Sequence, residues 1–399
     1  MKMTIKSVAL PIMFTAIIGS STTLGMQPDP ESWAHDNTAF ALSLYGKLAS
    51  TDGNLFFSPY SISSAMGMTY AGARGNTAAE IAKALGFDAP PEQLPLVFKN
   101  LKAALQASAL KGGHKLTIAN ALYLAGGDVS ADFKASVREN FEAEIFDGGL
   151  ETINQWVKEK TEGKIENILE GVSPNSVCVL LNAVYFKGDW ASQFKRDATQ
   201  YAPFRLTNDK SVQVPLMYQQ GRFKLLEKDE FQALVMPYGG NTLSMVIILP
   251  KTIDGLAAIE RKLTAETLAQ WLAESGKQAK REVRVFVPRF TLETSYDLVS
   301  SCRALGIKDA FKEGRADFRG MGWEKGELWI AEIKHKAYVN VNEEGTEAAG
   351  ATAARIQAIG IRHYPVFKAN HPFLFVIREH ATGTILFLGR LSDPTKQGR

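Results

Sequence analysis

The chain has 399 residues, of which 45% are hydrophobic and 22% charged, so it is long enough and apolar enough to bury a large core. The formal net charge of +3 is too small to make nucleic acid or an anionic membrane the expected partner. Only two cysteines occur, Cys178 and Cys302, and their spacing offers no metal site. Cys178 lies within the apolar run SVCVLLNAVYF, which favours a buried free thiol over a disulfide.

The first 25 residues have the pattern of a secretory signal peptide. Two lysines precede a short apolar run from Val8 to Ile18, and small residues from Gly19 to Gly25 offer a place for cleavage, although no A-x-A site is present. The run is shorter than the roughly 20 apolar residues that span a bilayer, and Pro11 interrupts it. We therefore expect residues 1–25 to be removed on export, with a disordered or membrane-tethering start as the alternative. The sequence leaves open whether the exported protein is extracellular, periplasmic or bound to a surface.

The first third of the remaining chain has the patterns of helices. Apolar residues at helical spacing follow Asp36 and Asn37, either of which would cap a helix there. The stretch NLFFSPYSISSAMGMTYAGA begins as a short strand, breaks at Ser58-Pro59 and resumes as a buried helix. The run TAAEIAKALGF predicts another helix, which ends at Gly86. Further helices are predicted over 92–109, 131–142 and 151–160.

Strand-like runs dominate the rest of the chain. Apolar, β-branched and aromatic residues are concentrated in runs such as VCVLLNAVYFKGDW, LSMVIILP and HKAYVNVNEE. The stretch HPFLFVIREHATGTILFLGRL predicts a hairpin of two apolar strands. No internal repeat or linker marks a domain boundary. Helices followed by many strands, without regular βα alternation, predict an α+β fold in one large domain.

Motifs for catalysis and cofactor binding do not occur in the sequence. None of the patterns G-x-S-x-G, H-E-x-x-H and G-x-x-x-x-G-K-[ST] is present. The six histidines are scattered, with no pair at metal-ligand spacing. A Ser-His-Asp triad assembled in space stays open, but nothing in the sequence favours one. We therefore expect no metal, no cofactor and no enzymatic activity.

The segment NEEGTEAAGATAARIQAIG, residues 342–360, suits a strand better than a helix. Gly345 and Gly350 interrupt its alanines, and no large apolar residue lies between Gly345 and Arg355 to dock a helix on a core. At period two, by contrast, every long polar side chain falls on one face and small residues occupy the other. The pattern is typical of a loop that is exposed first and enters a sheet later, with a flexible exposed loop as the alternative.

Several stretches together resemble the serpins, the serine protease inhibitor family. The signatures, in the expected order, are NLFFSPYSISSAMGMTYAGARGNTAAEI (54–81), LLNAVYFKGDW (180–190) and EEGTEAAGATAA (343–354). VFKANHPFLFVI and ILFLGRLSDP resemble the C-terminal strands, and the likeness runs from about Pro28 to Pro394. The resemblance implies a single domain over 26–399, in which helices surround three β-sheets. It also implies an exposed reactive-centre loop at about 343–364.

The resemblance further implies inhibition by a suicide mechanism. A target protease cleaves the loop and becomes acylated, and the loop then inserts as a new strand in the main sheet with the trapped enzyme attached. A bulky or charged inward residue in the hinge would slow insertion, and this hinge has none, which favours an inhibitor over a non-inhibitory carrier or chaperone. Carried over to this chain, the hinge residues are Glu343, Gly345, Thr346, Ala348, Gly350 and Thr352. Thr346 would be the first inward-facing residue to insert.

Two further groups of residues follow from the resemblance. The shutter, at the centre of the main sheet, would consist of Ser58, Ser61, Asn182 and His335. Asn182 and His335 would hydrogen-bond across the sheet. The breach, at the top of the sheet, would consist of Trp190, Arg289 and Glu343. Glu343 would pair with Arg289 beside Trp190.

The position of the scissile bond follows from counting along the loop. The seventeenth residue from the hinge glutamate Glu343 is Ile359, so the implied reactive bond is Ile359-Gly360. An aliphatic residue at this place suits elastase-like proteases. Arg355 and Arg362 would each offer a trypsin-like cut instead.

Target serine proteases are therefore the expected partners of a monomer that binds neither nucleic acid nor membrane. A heparin-type polyanion is not expected, because the region in which some serpins carry a basic helix has only Lys99 and Lys102. A second basic cluster is interpreted as a solvated surface; it consists of Lys277, Lys280, Arg281 and Arg284.

Overall fold

A computed structural model describes residues 30–171, 178–346 and 364–398. Within these ranges the α-helices are α1 (Pro30–Leu48), α2 (Pro59–Gly72), α3 (Gly75–Leu85), α4 (Leu94–Lys111), α5 (Ala131–Phe141), α6 (Leu150–Lys160), α7 (Leu256–Arg261), α8 (Ala265–Lys277) and α9 (Val299–Ala304). The strands are β1 (Leu55–Phe57), β2 (Lys115–Leu124), β3 (Glu144–Phe146), β4 (Cys178–Asp189), β5 (Gln200–Arg205), β6 (Ser211–Glu227), β7 (Phe231–Pro237), β8 (Leu243–Pro250), β9 (Arg281–Pro288), β10 (Phe290–Asp297), β11 (Ile330–Val341), β12 (Gly345–Thr346), β13 (Val366–Lys368), β14 (Phe373–Glu379) and β15 (Ile385–Leu391).

The first helices begin and end for local chemical reasons. Ser58 caps α2 by accepting a hydrogen bond from the backbone N–H of Ser61 at 3.1 Å, and Pro59 occupies the first helical position. Helix α3 ends at Gly86, which has a left-handed backbone, so the predicted glycine end is confirmed. The predicted caps Asp36 and Asn37 are wrong, because α1 starts six residues earlier, at Pro30.

The main sheet has the strand order β10-β11-β12-β4-β2-β3. Strands β11 and β4 run parallel and pair directly from Ile330 opposite Cys178 to Tyr338 opposite Tyr185. Beyond Tyr185 the two strands are separated by β12, which pairs with both of them. Strands β4 and β11 are therefore direct neighbours along most of their length. At one end of the sheet they separate, and we call this the open end; Gly345 and Thr346 of the same chain fill the gap there.

A second set of strands is joined through β6. Its order is β1-β15-β14-β8-β7-β6-β9-β13, with β5 paired to the first part of β6. The last residues of β6 pair with β7, whereas the earlier ones pair with β5 and β9, so β6 passes from one half of this set to the other. Together with the main sheet, these halves give the three sheets that the family resemblance implied. The predicted hairpin is confirmed as β14 and β15.

The core lies where α2 and the β14–β15 hairpin pack against the main sheet. Phe56 stacks on Phe387 with ring centroids 5.1 Å apart, and both are fully buried. Cys178 and Cys302 are buried free thiols, and burial raises the pKa of each to about 12. No helix among the described residues is long and apolar enough to cross a membrane.

Candidate functional site

The open end of the main sheet holds Gly345 and Thr346 of the predicted hinge. Thr346 pairs with Gly188 of β4 on one side and with Val341 of β11 on the other, and Gly345 pairs with Asp189. The sequence pattern predicted a loop that enters a sheet late. Gly345 and Thr346 differ from that expectation, since they already lie between the two strands as β12.

The side chain of Thr346 is held in the core. It is completely buried, and its hydroxyl lies 3.0 Å from the hydroxyl of Tyr238. The Tyr238 ring stacks on Trp190, with centroids 4.6 Å apart and planes 11° apart. The indole N–H of Trp190 donates to the carbonyl of Asn342 at 3.0 Å. Trp190, predicted to lie in the breach, is therefore hydrogen-bonded to the turn before β12.

Gly345 is required by a close approach of two backbones. A Cβ at this position would lie 2.2 Å from the carbonyl oxygen of Gly188 and 2.6 Å from the Cα of Asp189. These are backbone atoms of β4, which cannot move aside without breaking the sheet. The turn that leads to Gly345 is closed by Asn342, whose side-chain oxygen accepts from the N–H groups of Glu344 at 3.0 Å and Gly345 at 3.2 Å.

Glu343 is buried and paired as the resemblance implied. Its Oε1 accepts hydrogen bonds from Arg289 at 2.5 Å and from Thr199 at 2.6 Å, and its side chain is only 4% exposed. Burial alone would raise the pKa of this carboxyl, but the hydrogen bonds from Arg289 and Thr199 outweigh burial and lower the pKa. The neighbouring Glu344 pairs with Arg196. Both acids fix the turn from which the loop departs.

The four shutter residues are brought together where β4 and β11 pair directly. Asn182 lies opposite His335 in the parallel register. The His335 Nδ1–H donates to the side-chain oxygen of Asn182 at 2.5 Å, and its Nε2 accepts from the backbone N–H of Ser58 at 3.3 Å. One ring nitrogen donates and the other accepts, so the histidine is neutral. Burial alone lowers its pKa to about 3.

The network continues from Asn182 to the helix beneath the sheet. The Asn182 amide donates to the hydroxyl of Ser61 at 2.6 Å and to the side-chain oxygen of Asn120 at 2.5 Å. The Asn120 amide in turn donates to the hydroxyl of Ser64 at 3.1 Å. Strands β2, β4 and β11 are thereby tied to α2 through polar groups that are all buried.

Sequence reasoning missed several members of this site. Asn120 and Tyr238 link the shutter and the hinge to other strands, and Thr199 and Arg196 hold the hinge glutamates. A signal was available for Asn120, since an asparagine inside the apolar run LTIANALYL needs a buried partner. The other three gave no signal, because their partners are distant in sequence.

Several predicted site residues lie outside the described ranges. They are the hinge residues Ala348, Gly350 and Thr352, the reactive bond Ile359-Gly360, and the alternative cleavage residues Arg355 and Arg362.

The described residues offer no arrangement suited to catalysis at a metal or a triad. No group of three or more His, Cys, Asp or Glu in these ranges could hold a metal ion. One serine lies against a histidine, since Ser244 Oγ is 2.9 Å from His380 Nε2. That serine is only 1% exposed, and the other ring nitrogen of His380 bonds to the backbone carbonyl of Asn241 and not to a carboxylate.

Comparison with known proteins gives one consistent result. The family model described as serpin (serine protease inhibitor) matches residues 35–394. A leukocyte elastase inhibitor of the horse, Equus caballus, is 42% identical over 380 residues, which are 90% of this chain and 98% of that protein. Human serpin B8 is 42% identical over 373 residues, with the same two coverages. Among solved structures, human thyroxine-binding globulin matches with a TM-score of 0.83 and 30% identity, covering 92% of this chain and 100% of that one.

The fold and the site define a protein whose main sheet takes residues of its own loop between two parallel strands. The chain belongs to the serpin family of serine protease inhibitors. The family and the relatives named leukocyte elastase inhibitor indicate a protease inhibitor rather than a catalytic enzyme.

The position of β12 predicts the effect of Gly345→Ala. The added Cβ would meet the Gly188 carbonyl, so β12 should leave the sheet, and the backbone N–H groups of 342–346 and 188–190 should exchange faster with solvent. Hydrogen exchange followed by mass spectrometry measures this. Gly46→Ala is the control, because a Cβ at this helical glycine meets nothing within 4 Å. If these N–H groups of the Gly345 variant exchange as slowly as those of wild type, β12 does not form in solution.

The buried neutral His335 predicts a loss of stability on mild acidification. The unfolded chain binds a proton at this histidine with the ordinary pKa of 6.5, whereas the folded protein does not until about pH 3. Stability is therefore complete above pH 6.5 and falls as the pH drops below it. Lowering the pH from about 7.5 to 5.5 should therefore reduce the free energy of unfolding by about 1.4 kcal/mol through this histidine.

Urea titrations at the two pH values measure this loss in wild type and in His335→Gln. The glutamine variant should lose less stability than wild type over this pH interval, because glutamine cannot take up a proton when the chain unfolds. His35→Gln is the matched substitution at a surface histidine, since the side chain of His35 is 55% exposed. An equal pH dependence in His335→Gln and wild type would contradict the assignment.

Proposed function

We propose that this protein is exported and inhibits elastase-like serine proteases as a suicide substrate. The observation that carries the proposal is β12: the loop enters the main sheet between β4 and β11 in pairing with both strands. A strand that has started in this place can lengthen only by parting the direct pairing of β4 and β11. The relatives named leukocyte elastase inhibitor support a serine protease as the target.

Continuing the register of β12 gives the path of insertion. Thr346 lies opposite Gly188 on β4 and Val341 on β11, and both partners are antiparallel to it. Six residues further on, Thr352 would arrive between Asn182 and His335. The hydrogen bond between those two side chains therefore lies on the path, and the Thr352 hydroxyl would take its place as a partner for both. The shutter would thus hold the sheet closed until the loop is cut.

The chemistry of trapping follows from the proposed bond. The protease serine attacks the carbonyl carbon of Ile359, an ester forms, the peptide bond to Gly360 breaks, and the new amine leaves with the proton. The segment freed at its C-terminal end inserts down β4, whose 12 residues are about 40 Å long. The acylated protease would be carried the same distance, before water hydrolyses the ester.

Ile359 is favoured over Arg355 by the length of the inserted strand. In the register of β12, residue 355 reaches only the level of Val179, near the start of β4. In the same register Ile359 would come four residues further on, past Cys178, the first residue of β4. Arg362 would give a longer tether and a trypsin-like target.

The proposal of export rests on the pattern of the first 25 residues. The horse relative is matched over 98% of its own length but over only 90% of this chain, and the family match begins at residue 35. The first 25 residues, with their two lysines and apolar run, suit a leader added to a single domain over 26–399.

A second candidate is a non-inhibitory binding protein. The solved structure of thyroxine-binding globulin complexed with thyroxine has the same fold as this chain. A protein of this fold therefore binds a small ligand, and a role of that kind in this chain would not need the loop to be cut.

Incubation with an elastase and with trypsin tests the proposal. We expect a band of inhibitor plus protease that survives denaturing electrophoresis, because the two proteins are joined by an ester. The released fragment should begin at Gly360. A start at His363 would move the specificity to Arg362. Clean cleavage with no covalent band for any protease would contradict inhibition and favour the carrier.

The buried position of Thr346 predicts the effect of a charge in the hinge. In Thr346→Arg a guanidinium would replace a side chain that is completely buried, so β12 should be displaced from the sheet. Insertion should then slow, and the ester should hydrolyse first. The number of inhibitor molecules consumed per protease inactivated should rise by at least about tenfold, which corresponds to roughly 1.4 kcal/mol in the barrier.

Two variants control for this result. Thr346→Ser keeps the hydroxyl that faces Tyr238 and should trap as wild type does. Glu347→Arg introduces the same side chain at the next position, which faces outward at period two, and should leave the stoichiometry within about twofold of wild type. Full trapping by Thr346→Arg would show that insertion does not pass through this site.

A further inference from the structure

The sheet half formed by β5, β6, β9 and β13 presents an exposed face with cations and aromatic rings. Tyr218 on β6 lies opposite Phe286 on β9, with ring centroids 4.8 Å apart. The guanidinium of Arg284 lies 5.9 and 5.8 Å from the centroids of these two rings. The ammonium of Lys368, on β13, lies 5.7 Å from the centroid of Phe286. We call these four residues the cationic face; a cavity of about 440 Å³ opens beside them.

The two cations of the cationic face form no ion pair within the described chain. No acidic side chain of the described ranges lines the cavity beside them. Stacking on the rings holds the two cations in place without cancelling their charge. Tyr201, on the edge strand β5, also lines the cavity and is 76% exposed. The face is therefore complementary to a surface that is acidic.

The cationic face lies next to the end of the reactive loop. The carbonyl of Pro365 accepts a hydrogen bond from the backbone N–H of Arg284 at 2.9 Å, and β13 begins one residue later. From Gly360 to Val366 the chain spans six residue steps, at most about 20 Å. A folded protease domain of roughly 200 residues has a radius of gyration of about 16 Å. A protease seated on the Ile359-Gly360 bond therefore extends over this face.

We propose that the cationic face is a second docking surface for the target protease. It selects proteases that carry an acidic loop beside the cleft, on the side that binds the residues after the scissile bond. The inference rests on the proposed function, because it requires a protease seated on the loop. Complementary charges at the rim of an interface raise the rate of association and penalise partners of the same sign.

Reversing the charges of Arg284 and Lys368 tests whether the cationic face contributes to docking of the protease independently of cleavage of the loop. The test variant is Arg284→Glu/Lys368→Glu, and Arg284→Gln/Lys368→Gln removes the charge without reversing it. The control is Lys83→Glu/Lys312→Glu, which makes the same change of net charge at two exposed lysines on α3 and on the loop after α9. Each is reacted with two elastase-like proteases, one with an acidic and one with a basic surface beside the cleft. The rate constant of covalent complex formation is measured at low and at high salt.

We expect the reversal to slow trapping of the acidic protease by about tenfold at low salt, with a smaller loss for the glutamine variant. Trapping of the basic protease should become faster. Both effects should shrink at high salt, since the Debye length is about 10 Å at 0.1 M and shorter above it. The control variant should stay within about twofold of wild type for both proteases. The number of inhibitor molecules consumed per protease should not change, because insertion is untouched.

Two outcomes would overturn the docking surface while leaving the proposed function intact. One is that wild type and both variants trap the acidic protease at equal rates. The other is that the reversal slows both proteases equally, which would mean that Arg284 and Lys368 act by seating the loop and not by charge. Absence of a covalent band with wild type for either protease would instead remove the proposed function, and the docking surface with it.

Discussion

The direct parallel pairing of β4 with β11 is the constraint on which the rest of the structure depends. Two parallel strands that are neighbours in a sheet leave no place for a third, yet here they separate at one end and admit β12. The boundary between the open and the closed part is held by buried polar groups centred on Asn182 and His335. A buried polar group without a hydrogen-bond partner destabilises the folded protein. The side chains of this network must therefore keep their present partners or gain new ones when the strands part.

The hinge is held from several directions by contacts of different kinds. Glu343 is fixed by a charged partner, Gly345 by the absence of a side chain, and Thr346 by a hydroxyl in the core. Each contact is local, and together they start the loop in a defined register. If the loop lengthens β12, the pairing of Gly345 and Thr346 fixes the register in which it would do so.

Much of the fold followed from local patterns, and the errors have physical causes. The early helices, the C-terminal hairpin and the end of α3 at Gly86 were predicted because caps, glycine and apolar periodicity act over a few residues. Strand β6 was not predicted, because Pro215 and Gly221 interrupt its pattern and its pairing changes partners along its length. The cap at Asp36 was wrong because α1 begins earlier, at Pro30.

The sequence by itself determined the chemistry of the loop. Its small residues at period two, its glycines and the glutamate before them predict a segment that can join a sheet as a strand, and the family resemblance implies which residues would act on it. Only the tertiary structure decided which groups meet that loop. Tyr238, Thr199 and Asn120 come from different strands or from connections between strands, and no spacing along the chain reveals that they converge. A buried hydrogen bond depends on distance in space, which folding sets, and not on distance in sequence.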